Sequence, residues 1–191
     1  MICLPWLAPV KNEPIQQYAK RMAAGIADEN PILLGLSFGG MMAIEISKLI
    51  HTQQVILLSS IQSSAEMPGW MKWAGKLKLN KLLPMRSYKI LEPIQNITMG
   101  VETKEDIAMV NNYRKNVSPV YLDWAIHEVL NWQNNWQPIN IHHIHGNADK
   151  IFPLKKISPL HQTHIINGGG HFMVFNRAGD VSNAIQNVLA G

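Results

Sequence analysis

The chain has a single cysteine, Cys3, among 191 residues. No internal disulfide can form, and no metal cluster can be built on thiolates. Charge is also sparse: 16% of residues are charged and 47% are apolar. A disordered chain shows the reverse balance. No apolar run reaches the roughly 18 residues that a membrane span requires. The opening residues are expected to make a poor signal peptide. Met1 to Leu7 carries no basic head, and Pro5 and Pro9 interrupt it. The expectation is a soluble, cytoplasmic globular protein of one domain, with residues enough for a sizeable core.

Acid is missing from one stretch altogether. Between Met67 and Leu91 stand Lys72, Lys76, Lys78, Lys81, Arg86 and Lys89, with no Asp or Glu. These six exceed the net charge of +4 for the whole chain, so the remainder is slightly acidic. Trp70, Trp73, Leu77, Leu79, Leu82 and Leu83 interleave with the cations. One reading is peripheral contact with an anionic membrane. The favoured reading is a lid with solvated lysines and an apolar underside. Nucleic acid is not expected, because the footprint is small and no binding motif accompanies it.

Short apolar runs alternate with helical periodicity. Ile2-Cys3-Leu4 reads as a short strand. Asn12 reads as a helix N-cap, with Pro14 in the first turn. Ile15, Tyr18, Ala19, Met22 and Ile26 then follow at helical spacing. The continuous run Ile32 to Leu36 predicts a strand covered on both faces. Further strands are expected at Val55 to Leu58, Ile139 to His145 and Thr163 to Ile166. Alternating strands and helices predict a mostly parallel sheet, with chemistry just beyond the carboxyl ends of its strands. Residues 61–137 differ in texture and read as a helical insertion into one domain, 1–191.

Three strand ends carry reactive residues. After Leu36 comes Gly35-Leu36-Ser37-Phe38-Gly39-Gly40, a G-x-S-x-G pattern between a strand and a helix. Such a sharp turn lifts Ser37 off the sheet. Side chains at positions 35 and 39 would collide across it, so Gly35 and Gly39 are expected to relieve the clash. Ser37 then sits at a helix N-terminus, where the Phe38 N–H can stabilise an oxyanion. A serine hydroxyl needs a base, and the base needs an orienting acid. Among the five Asp only Asp149 follows a strand end; Asp28, Asp106, Asp123 and Asp180 do not. For the base, His171 follows Gly168-Gly169-Gly170 just after the last strand. His161 and His164 are its rivals. His142, His143 and His145 suggest a metal site, but no further ligand of suitable spacing stands beside them. No metal and no cofactor are expected. His145 is expected to pack under the acid-bearing turn. Tyr121, Trp124 and His127 could line a pocket, although core packing is favoured.

These residues together resemble the α/β-hydrolase superfamily. Gly35 to Gly40 is similar to its G-x-S-x-G-G elbow, His145-Gly146 through Asp149 and Pro153 to its acid loop, and Gly170-His171 to its base loop. The resemblance covers residues 1–60 and 138–191, with 61–137 in the place of the variable helical cap. It implies a three-layer α/β-hydrolase fold, mostly parallel, shortened at the N-terminus. It also implies a Ser37, His171, Asp149 triad acting on a small, fairly apolar ester or thioester. A glycine-bearing oxyanion loop is normal in the family, and residues 1–34 contain none. Trp6, Leu7 or Ala8 could stand in for it. The other reading is a non-catalytic protein of the same fold.

Overall fold

A computed structural model describes residues 2–78, 88–158 and 162–190, with residues 88–91 described by backbone alone. His161, and Leu79, Lys81, Leu82, Leu83 and Arg86 of the basic stretch, lie outside the described residues, as does the side chain of Lys89. Four parallel strands form one sheet in the order β1 (Ile32–Leu36), β2 (Gln54–Leu58), β3 (Ile141–Gly146), β4 (Thr163–Ile166). Their register brings Gly35 beside Leu57, Leu58 beside Ile144, and Gly146 beside Ile166. The three reactive loops therefore leave one end of the sheet together.

Helices cover both faces. On one lie α1 (Ile15–Ala23) and α2 (Phe38–Ser47), with α3 (Gly69–Lys76) and α6 (Pro119–Asn131) extending the same core. Between α3 and α6 come α4 (Tyr88–Met99) and α5 (Lys104–Asn116). On the other face α7 (Met173–Asn176) and α8 (Ala178–Ala190) pack Met173, Val181, Ala184 and Val188 against Ile56, Leu58, Ile144 and Ile166.

Three expectations need correction. Residues 2–10 form no strand. They are held by Tyr18, whose hydroxyl accepts from the Leu7 N–H and donates to the Leu7 carbonyl, both at 2.8 Å. Asn12 does not cap α1. It adopts φ 60° in the preceding turn, and the cap position is Pro14, which has no side-chain acceptor. The first N–H of α1, on Ile15, is instead satisfied by the Glu128 carboxylate of α6 at 2.9 Å. Finally, β1 is not covered on both faces. Leu33 and Gly35 are buried, whereas Ile32, Leu34 and Leu36 are exposed. At the sheet edge the α8 layer does not reach them, so an apolar run that reads as fully buried is buried on one side.

The apolar helix α2 carries one buried acid. Glu45 is 2% exposed. It is neutralised by Lys48 at 2.7 Å and accepts from the Trp132 indole at 2.8 Å. That bond ties the end of the helical insertion to the core layer. α3 has three faces. Met71 and Gly75 are buried, Lys72 and Lys76 form a basic flank, and Trp70, Trp73 and Leu77 stand 60%, 64% and 60% exposed. Among the described residues, no helix is long and apolar enough to cross a membrane.

Candidate active site

Ser37 occupies the turn between β1 and α2 with φ 51° and ψ −117°. A non-glycine residue with positive φ is strained, and the surroundings must hold it there. They do so with three hydrogen bonds. The Ser37 N–H donates to Leu58 O at 2.8 Å, and the Ser37 carbonyl accepts from Ser60 Oγ at 2.7 Å and from Gly40 N at 2.9 Å.

The glycines play unequal parts, which corrects the expectation of a symmetric clash. A Cβ on Gly35 would overlap the Gly39 carbonyl, and one on Gly40 would overlap the Ser60 hydroxyl. A Cβ on Gly39 would meet only the Trp6 ring, at 4.0 Å. What Gly35 avoids is the helix backbone rather than a facing side chain. Gly40 matters as much, because the helix passes so close to the end of β2.

The acid arrives on the turn after β3. Asp149 is 4% exposed. Its Oδ1 accepts from the Ile151 and Phe152 N–H groups at 2.8 and 2.9 Å. This leaves Oδ2 for His171, whose Nδ1 lies 2.9 Å away. The other ring nitrogen, Nε2, is 2.8 Å from Ser37 Oγ. Because the carboxylate only accepts, Nδ1 carries the proton, and the bare Nε2 faces the hydroxyl. The structure thus brings Ser37, His171 and Asp149 into one hydrogen-bonded chain. The other acids are spent elsewhere. Asp106 completes a capping box with Thr103 at the start of α5, Asp28 closes a turn onto the Asn30 N–H at 2.9 Å, and Asp123 and Asp180 are exposed on helices. His164 is the second residue of β4, two positions before its carboxyl end.

The base loop is fastened to the insertion. The Phe172 N–H donates to Met99 O at 2.8 Å, and the Asn176 amide donates to Gly100 O at 2.8 Å. Gly170 makes this approach possible, since a Cβ there would lie 3.1 Å from the Gly100 Cα. The Phe152 ring meets the His171 ring edge-on, 5.6 Å between centroids.

Beside the elbow stands an aromatic cluster. Trp6 stacks on Phe38 at 5.7 Å and meets Tyr121 at 5.3 Å, while Trp124 meets Phe38 edge-on at 5.7 Å. Tyr121 is buried, and burial pushes its hydroxyl pKa upward, so it stays protonated. The Phe38 N–H belongs to the first turn of α2, whose donors have no partner within the helix. The Leu7 N–H cannot join it as a second donor, being committed to Tyr18. Among the described residues, no group of three His, Cys, Asp or Glu could hold a metal ion.

No protein-family model matches the chain, and no curated protein matches it. Solved structures do. A thermophilic esterase from Thermogutta terrifontis superimposes with TM-score 0.73 at 16% identity, covering 93% of this chain and 72% of the esterase. The Bacillus megaterium epoxide hydrolase gives TM-score 0.63 at 15% identity, over 95% of this chain and 78% of that one. The chain has the α/β-hydrolase fold. A meta-cleavage product hydrolase from Pseudomonas fluorescens IP01 shares it, with TM-score 0.65 at 14% identity over 94% of this chain and 72% of that one. In this hydrolase-fold chain the four described strands run from the elbow strand to the strand before the base loop.

Proposed function

We propose that the chain is a serine hydrolase acting on a small, fairly apolar ester or thioester through an acyl-enzyme. The observation that carries the reading is the continuous chain of hydrogen bonds from Asp149 through His171 to Ser37. His171 Nε2 takes the Ser37 proton as Oγ attacks the carbonyl carbon. The imidazolium that forms is stabilised by Asp149. The oxyanion is met by the Phe38 N–H and the N-terminus of α2. Collapse of the tetrahedral species passes the proton from His171 to the leaving group. Water, activated by the same nitrogen, then releases the acid. Phe38, Trp6 and Tyr121 beside the elbow suit an apolar acyl or alcohol part. The insertion at 61–137 serves as the cap, since its Met99 and Gly100 hold the base loop.

A fluorophosphonate probe is expected to label the protein at Ser37, and Ser37→Ala to abolish labelling, read by intact mass. Labelling that survives the substitution sinks the assignment. A non-catalytic role is favoured by one observation, the commitment of the Leu7 N–H to Tyr18. Loss of one oxyanion donor costs about 10²–10³ in rate. Turnover of a short-chain nitrophenyl ester above the Ser37→Ala control decides for the enzyme. Turnover equal to that control decides for the non-catalytic role.

Contact with an anionic membrane is favoured by α3, where exposed Trp70, Trp73 and Leu77 adjoin Lys72 and Lys76. Tryptophan suits the boundary between headgroup and acyl chain, and the lysines suit anionic headgroups. The protein is expected to co-sediment with phosphatidylserine-containing vesicles at low salt. Trp70→Ala with Trp73→Ala should weaken binding about a hundredfold or more, since burying each large apolar side chain is worth about 1.5–3 kcal/mol. No binding at low salt dismisses the contact.

A further inference from the structure

Beneath the Asp149 turn lie two imidazoles that the proposed reaction does not touch. His143 and His145 alternate along β3, so they project from the same face, and both are 0% exposed. Their rings are edge-on, 4.8 Å between centroids, with His145 Nδ1 3.0 Å from His143 Nε2. His145 Nε2 lies 2.8 Å from the Phe152 carbonyl.

Hydrogen-bond chemistry fixes the protons. A carbonyl only accepts, so His145 Nε2 must carry the hydrogen. In a neutral ring Nδ1 is then bare and accepts from the His143 Nε2–H. The Ser60 backbone also interacts with His143, in the sense that favours a proton on that ring, although His143 Nδ1 itself makes no hydrogen bond. The Phe152 carbonyl thus sets the tautomer of His145. Burial pushes the His143 pKa down to about 3 and lowers that of His145 as well, so both stay neutral near pH 7. The charged and titratable groups facing His145 are Asp149, with Oδ2 at 3.7 Å, His171, Glu66 and His143.

Phe152 is where this chain meets the site. Its N–H caps Asp149 Oδ1, its carbonyl receives His145, and its ring packs against His171. We propose that His145, oriented by His143, is a positioning residue for the acid and the base, acting through Phe152. The proposal rests on the reading of Ser37, His171 and Asp149 as a triad. Without the His145 donor the Phe152–Pro153 peptide is free to turn about the Phe152 Cα, and the carboxylate and the imidazole lose the support of the Phe152 N–H and ring. A buried carbonyl left unpaired adds to the loss.

The test compares His145→Leu, which removes the donor, with His145→Gln, which keeps an N–H for the Phe152 carbonyl. His145→Leu is expected to lower kcat for the nitrophenyl ester between about tenfold and a hundredfold, with KM within about twofold, as for a displaced catalytic group. The acid limb of its kcat/KM profile should move to lower pH, because the His171 imidazolium is less well paired with Asp149. His145→Gln should restore most of kcat and the limb. A fall in kcat that only tracks the folded fraction in a thermal melt, with an unmoved limb, overturns the proposal.

A second readout does not need turnover. Ring-nitrogen NMR of the native protein should show His143 and His145 both neutral, with His145 protonated at Nε2. The His171 Nδ1–H resonance should be sharp in the native protein and His145→Gln and broadened in His145→Leu. A different tautomer at His145, or an unchanged His171 resonance in His145→Leu, overturns the proposal. Absence of turnover in the native protein defeats the hydrolase reading alone, and the resonances then decide the positioning role.

Discussion

Asp149→Asn is expected to lower kcat about 10⁴-fold while leaving the fold intact, the scale seen when a triad acid is made neutral. The asparagine Oδ1 can still accept from the Ile151 and Phe152 N–H groups, which now bind the carboxylate at 2.8 and 2.9 Å. The turn therefore survives. With Oδ1 so engaged, the amide nitrogen must take the place of Oδ2, 2.9 Å from His171 Nδ1. An amide N–H only donates, so Nδ1 becomes the bare nitrogen and the ring proton moves to Nε2. Ser37 Oγ then faces an N–H in place of a base. Stability should change by much less than activity, since the backbone contacts persist. The measurement is kcat beside a urea midpoint. A loss under about tenfold would show that Asp149 does not set the tautomer of His171.

Gly35→Ala should be strongly damaging, costing about 3 kcal/mol or more, beyond the usual range for overpacking because backbone must move. The new carbon would overlap the Gly39 carbonyl and lie 2.5 Å from the Gly40 nitrogen. These are atoms of a helix start, with no flexible side chain to swing aside. α2 would have to lift, and it carries both Ser37 and the Phe38 N–H. Gly39→Ala is the internal control. Its Cβ meets only the Trp6 ring at 4.0 Å, and alanine is the better helix former by about 0.8–1.0 kcal/mol. The first variant should unfold at much lower urea and lose probe labelling, whereas the second should keep both. Equal midpoints for the two variants would show that the elbow is not so tightly closed.

The parts of this protein that are legible in its sequence are those made by neighbours in the chain. The elbow needs Gly35, Ser37 and Gly40 within six residues. The acid and base loops follow their strands directly, so their place at one end of the sheet comes from strand direction alone. What is hidden depends on partners far away. Ile15 and the Glu128 carboxylate that caps it are 113 positions apart. Glu45 and the Trp132 indole are 87 apart. No local pattern can announce such pairs, and a lone Glu in an apolar helix gives no hint of its partner. The run Ile32 to Leu36 misleads for a related reason. Its apolarity reports strand propensity, while cover is decided by where other elements stop. The His143 and His145 relay lies between these cases. The spacing puts both rings on one face, but only the fold brings Phe152 beneath them.

The strain at position 37 has a consequence for chemistry. The φ of 51° is imposed by Leu58, Ser60 and Gly40, all of which grip the backbone and none the side chain. Shape and reactivity at the elbow are therefore separate inheritances. The two layers of the fold choose a point above the sheet. The residue standing there supplies only the functional group, so a thiol or a carboxylate at position 37 would be delivered to the same spot, facing the same imidazole. The scaffold fixes an address, and the occupant is free to change.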